Sequence, residues 1–235
     1  MTPAASSGPV AGLDALVFDF DGLILDTETS AYESTREVFA EHGVDLPLAD
    51  WQQIVGTANH LHWTELLEQA VGAAVDLEAV RPRRDRRKLE LLAPEVVLPG
   101  VSDLLVEAAE AGLGVAVASS SPAEWVGGHL ERLDLAHRFA HVITRHDLGG
   151  DATRTKPEPD LYLLALRALD ADPSRTVAFE DSPHGVAAAK AAGLLCVAVP
   201  GVVTRGLDFS AADVVVDSLE QVRLADLALL LHGGP

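Results

Sequence analysis

Short apolar runs recur along the chain at Ala15–Phe18, Gly114–Ala118, His141–Thr144, Thr176–Phe179, Leu195–Val199 and Val214–Val216. Between most of them lie longer stretches whose apolar positions return at helical spacing. Strands separated by amphipathic helices predict an α/β fold, a Rossmann-like, doubly wound and mostly parallel sheet. One interval breaks the rhythm. From about Thr29 to Val97 the pattern is helical throughout, in SAYESTREVFAEHG (with Gly43 as a C-cap glycine), LADWQQIVG and HLHWTELLEQAVG. The chain returns through Leu98-Pro99-Gly100, a natural hinge. Residues 13–28 and 98–235 are therefore expected to form the core domain, 29–97 an inserted helical cap domain, and 1–12 a loose tail.

Composition narrows the possible partners. A chain of 235 residues with 48% hydrophobic content can bury one large core plus a small satellite. Its net charge of −19 disfavours nucleic acid, and no apolar stretch reaches the length of a membrane span. Cys196 is the only cysteine, which excludes an intrachain disulfide or a thiolate zinc cluster and points to a reducing compartment. The first dozen residues lack the basic and apolar regions of a secretory signal, so the expected location is the cytoplasm.

The candidate chemistry sits where the strands end. In LVFDFDGLILDTE, Asp19 and Asp21 follow an apolar run and alternate with Phe20, which sends both carboxylates to one side; Gly22 then permits a sharp turn. Two acids so placed can divide the work of nucleophile and proton carrier, and can share a hard cation. The run GVAVASSSPAEW ends in Ser119, Ser120 and Ser121 before Pro122, either a phosphate seat or plain helix N-capping. TRTKPEPD holds Lys156 in a proline-stiffened loop, where an ammonium could neutralise a phosphoryl group. TVAFEDSPHG places Glu180 and Asp181 after another strand, as magnesium ligands with Asp19 or, for Asp181 or Ser182, as a helix cap.

Each signal has an ordinary structural reading; their coincidence does not. All four fall at the C-terminal ends of different strands, where open α/β sheets build sites. In order and spacing they resemble the haloacid dehalogenase-like hydrolase superfamily, in its capped branch that includes β-phosphoglucomutase and phosphatases. The resemblance implies that Asp19 is a nucleophile forming an aspartyl-phosphate and Asp21 the acid/base. It makes Ser119 the phosphate-binding hydroxyl, with Ser120 beside it, and Lys156 the charge-balancing lysine. It further implies a Mg²⁺ held by Asp19, Asp181 and the backbone carbonyl of Asp21, with Glu180 as ligand or neighbour.

Within that branch, Asp21 argues for phosphoryl transfer over halide removal. Mutases of this kind carry cationic side chains where this chain has Ala31, Asn59 and Pro122, so the expected activity is a phosphatase acting on a small phosphomonoester, with a sugar phosphomutase or an idle binding protein as alternatives. The expected partner is a small phosphorylated metabolite, bound by a monomer. Substrate choice is assigned to the cap loop GTANH through Gly56, Thr57 and Asn59. The run Arg81–Lys88 holds six of 17 basic residues and reads as a solvated helix face, or as a patch that attracts an anion or pairs with acidic neighbours. The pairs His60/His62 and His137/His141 are given no function.

Overall fold

The computed structural model describes residues 10, 12–55 and 62–231. Six parallel strands form one sheet: β1 (Ala15–Phe18), β2 (Gly114–Ser119), β3 (His141–Thr144), β4 (Thr176–Glu180), β5 (Leu195–Ala198) and β6 (Val214–Val215). Their order is β3-β2-β1-β4-β5-β6, so the chain winds one way from β1 and the other way from β4. The topological switch point therefore lies between β1 and β4, where ligand crevices form in such sheets.

Side-chain size sorts the two faces. Leu16, Phe18, Val115, Val117, Val177, Phe179 and Val197 fill one side, packed under α5 (Val101–Ala111), α6 (Ala123–Arg132) and α9 (Leu224–Leu231). The alternate residues Val17, Ala116, Ala118, Ala178, Cys196 and Ala198 face α7 (Asp160–Leu169) and the alanine-rich α8 (Pro183–Ala191). Small side chains on this face suit the close approach of an alanine-rich helix. With both faces covered, the strands read as continuous apolar runs.

The helical interval contains α1 (Thr27–Glu41), α2 (Leu48–Gln52), α3 (Trp63–Val71) and α4 (Leu77–Leu92). These helices bury a separate cluster that includes Val38, Phe39, Trp51, Trp63, Leu67 and Val80. Leu98 N–H donates to Ile24 O at 2.9 Å, so the chain leaves and re-enters the sheet domain side by side. Gln52 Nε2 donates to Val203 O (2.7 Å), and His184 Nδ1 lies 3.0 Å from Val55 O, which seats the helices on the core. No helix among the described residues is long and apolar enough to cross a membrane.

Candidate active site

Asp19 still belongs to the strand geometry: its N–H donates to Phe179 O at 2.9 Å, which fixes where its side chain leaves the sheet. Lys156, 1% exposed, comes from the loop before α7 and donates to Asp19 Oδ1. Its Nζ also lies 2.6 Å from Glu180 Oε1, and Tyr162 of α7 donates its hydroxyl to that same oxygen. Burial works against the Lys156 ammonium, but Asp19 and Glu180 outweigh it and raise its pKa. Burial likewise pushes the Asp19 carboxyl up; Lys156 opposes the shift, while Glu180 and Asp21 add to it. Lys156 offsets part of the charge of the buried acids around it.

Capping of α8 falls to Ser182, whose Oγ accepts from Gly185 N–H at 3.2 Å. Asp181 is left over. Its Oδ2 is buried with no hydrogen-bond partner, and burial together with Asp19 pushes its carboxyl up. Oxygens of Asp19, Glu180 and Asp181 lie within 4.8 Å of one another. An orphaned carboxylate oxygen in an all-oxygen set with surplus negative charge fits a hard divalent cation. Gly22 makes the crowding possible: at φ +77° it allows the turn, and a Cβ there would stand 2.1 Å from Asp181 Oδ2.

Asp21 is held from both sides. Its Oδ1 accepts from Thr27 Oγ1 (2.7 Å) and Trp125 Nε1 (2.9 Å); Oδ2 accepts from Ser121 Oγ (2.6 Å) and, more weakly, Ser119 Oγ (3.4 Å). Ser119 Oγ also accepts from Ser121 N–H at 3.0 Å, so the serine triplet folds around the acid. Ser120 lines the adjoining cavity, and its buried Oγ has no partner. Pro122 is the N-cap residue of α6.

A cavity of about 310 Å³ opens above Asp19 and Asp21. Its lining comes from both parts of the fold, with Ser120, Ser121 and Arg145 below and Trp51, Arg84 and Lys88 above. The basic run thus divides. Arg83 pairs with Glu41 (3.1 Å) and Arg87 with Glu37 (2.9 Å) on the exposed surface, contacts that contribute little to stability. Arg84 turns inward and ties α4 to α1 through Thr35 Oγ1 (3.0 Å) and Ala31 O (3.2 Å). Lys88, one helical turn on, lies 4.0 Å from the centre of the Trp125 ring.

Glu28 lines the same cavity, and burial, reinforced by the charge of Asp21, raises its pKa from 4.5 to about 7. A raised carboxyl pKa means that the folded state binds the proton more tightly than the unfolded chain. This contribution is therefore complete at low pH and is lost as pH rises from about 4.5 to about 7. Glu28→Gln is expected to match the wild type near pH 4 and to be more stable by about 1–3 kcal/mol at pH 8, in urea unfolding at each pH. Equal stability at pH 8 would show that Glu28 ionises without cost.

The core residues Asp19, Asp21, Ser119, Ser120, Lys156, Glu180 and Asp181 are thus brought to one crevice. Gly56, Thr57 and Asn59 lie outside the described residues, as does His60. His62 caps α3 in a capping box with Glu65, while His137 sits 3.7 Å from Asp134 on the surface. Sequence reasoning missed Thr27 and Trp125 around Asp21 and Tyr162 behind Glu180; Ser121 was singled out only as part of the serine triplet, and Arg84 and Lys88 only as part of the basic run. The four-residue spacing of Arg84 and Lys88 puts them on one face of α4.

A Bacillus subtilis protein named "Putative phosphatase YhcW" is 42% identical over 213 residues, covering 91% of this chain and 95% of the relative. The phosphorylated carbohydrates phosphatase of Thermotoga maritima is 32% identical over 186 residues, 77% of this chain and 82% of that one. The crystal structure of a mutant of CbbY from Rhodobacter sphaeroides in complex with xylulose-(1,5)-bisphosphate matches with a TM-score of 0.69 at 30% identity, covering 89% of this chain and 96% of that chain. Residues 13–193 match the haloacid dehalogenase-like hydrolase family. The parallel sheet, the acids at its strand ends and this match together place the chain in that family of hydrolases.

Proposed function

We propose that the protein is a Mg²⁺-dependent phosphatase that hydrolyses a small phosphomonoester, of the sugar phosphate class, with residues 29–97 acting as a cap. The observation that carries this reading is Lys156 joined at once to Asp19 and Glu180, with Asp21, Ser119 and Asp181 grouped around that pair. The adjacent entry and exit of the helical interval, its own apolar cluster and the shared cavity support the cap. The names of the Thermotoga relative and of the CbbY complex support a phosphorylated sugar.

In this reading a carboxylate oxygen of Asp19 attacks phosphorus as the bond to the leaving oxygen breaks, and Asp21 gives that oxygen its proton. Water then attacks the phosphorus of the aspartyl-phosphate while Asp21 takes the water's proton. The Asp19–phosphate bond breaks, phosphate leaves and both acids are restored. Lys156 balances the charge of Asp19 and of the phosphoryl group, while Ser119 and Ser120 hold phosphoryl oxygens. Asp19, Asp181 and the Asp21 backbone carbonyl, with Glu180 beside them, would hold Mg²⁺, whose charge would draw phosphate and nucleophile together.

A panel of sugar and alkyl phosphates assayed for released phosphate tests this directly. At least one sugar phosphate should be hydrolysed with Mg²⁺, not with chelator and not with Ca²⁺, whose looser shell misaligns the attack. The chelated protein should also melt at a higher temperature when Mg²⁺ is returned. An isomerised sugar phosphate with little free phosphate would make the protein a mutase. Undiminished hydrolysis after verified metal removal would overturn the metal assignment.

A further inference from the structure

We infer that Trp125 is a positioning residue for the carboxylate of Asp21, and that Lys88 on α4 couples this positioning to the seating of the cap helices. The inference rests on the acid/base role proposed for Asp21. Of the four donors to Asp21, three are hydroxyls that can rotate, donate or accept. The indole N–H of Trp125, 2.9 Å from Oδ1, is a donor only and is fixed to a rigid ring. Trp125 is the partner that sets direction.

The ring is itself held in place. His129 meets it edge-on at 4.4 Å and stacks at 6.2 Å on Phe20, the buried residue between the two acids. Lys88 Nζ lies over the ring at 4.0 Å, and Lys88 makes no ion pair among the described residues. A cation over an indole face is attracted by the ring's quadrupole, the strongest case among the aromatic side chains. One aromatic side chain therefore touches α4 on the cap and the proton-transferring acid on the core.

General acid assistance matters most when the leaving oxygen is a poor leaving group. A sugar or alkyl oxygen needs a proton as its bond breaks, whereas 4-nitrophenolate departs unaided. Damage to acid positioning must therefore lower kcat/KM for the sugar phosphate more than for 4-nitrophenyl phosphate. Damage to the fold or to the phosphate seat lowers both alike.

The test measures kcat/KM, which reports the steps through phosphoryl transfer and excludes the shared hydrolysis of the aspartyl-phosphate, on the best sugar phosphate of the panel and on 4-nitrophenyl phosphate for three variants. Trp125→Phe, which keeps a ring but loses the N–H, should lower the sugar-to-aryl ratio by about tenfold, a part of the roughly hundredfold or more that a whole acid–base group contributes. Lys88→Met, at a half-buried position, should lower the ratio by about threefold, and by less in the Trp125→Phe background, because part of its effect passes through the indole ring. Asp21→Asn should lower the ratio most. If Asp21→Asn depresses both substrates equally, the acid role fails and this inference fails with it. If Asp21→Asn is selective but Trp125→Phe is not, the assignment to Trp125 alone is overturned. Independent effects of Lys88→Met and Trp125→Phe would remove the coupling to the cap.

Discussion

Asp19→Asn is expected to cut turnover by at least about a hundredfold, because the amide keeps the shape and loses the proposed nucleophile. Stability should move the other way. Burial, Glu180 and Asp21 together outweigh Lys156 and raise the Asp19 carboxyl, so its ionisation near pH 7 costs the folded state free energy. Asparagine removes that cost, and Lys156 retains Glu180 at 2.6 Å as a partner. In chelator the variant should therefore melt no lower than the wild type. In Mg²⁺ the wild type should gain more, since the variant has lost one of the carboxylates proposed to hold the ion. Calorimetry in both buffers, beside single-turnover kinetics, checks both halves. A variant that keeps more than about one per cent of turnover would rule out the covalent role of Asp19. One that is dead but also unfolded in chelator would show that Asp19 is needed for structure.

The sheet was legible because its strands are buried on both faces and stand out as apolar runs. The differences are confined to ends: β2 continues into Ser119 and β4 into Glu180, while β5 stops before Val199 and β6 before Val216. The acid pairs were legible for a related reason, since strand ends in an open parallel sheet are where polar side chains become useful. Other features depended on contacts distant in sequence. Ser182 and Asp181 are both good caps by residue type, and only the bond from Gly185 N–H decides between them. Trp125 looks like a core aromatic until Asp21, far upstream in the chain, is placed beside its N–H. In α4, basic residues occur all round the helix, so the run alone gives no inward direction. The packing against α1, with Arg84 bound to Thr35 and Ala31, selects Arg84 and Lys88 for the cavity and leaves Arg83 and Arg87 to solvent.

Gly185→Ala is expected to be strongly disruptive although it adds a single methyl group. By helix propensity alone the substitution should help, because alanine in a helix is favoured over glycine by about 0.5–1 kcal/mol. Gly127 and Gly128, inside α6 with nothing within 4 Å of a built Cβ, should show that gain and serve as controls. At Gly185 the local preference loses to packing. A Cβ there would lie 1.9 Å from Glu180 Oε2 and 2.0 Å from its Cδ. The carboxylate has little room to yield, being fully buried and held by Lys156 and Tyr162. Moving it leaves Lys156 with fewer buried partners, so the cost combines overpacking with a weakened ion pair, about 2–4 kcal/mol in all. Turnover should fall with it, since Lys156 and Glu180 are part of the proposed catalytic cluster. Urea unfolding of the three alanine variants, with phosphate-release rates for each, makes the comparison. If Gly185→Ala is as stable and as active as the Gly127→Ala control, the Lys156–Glu180 pair does not depend on the glycine beneath it.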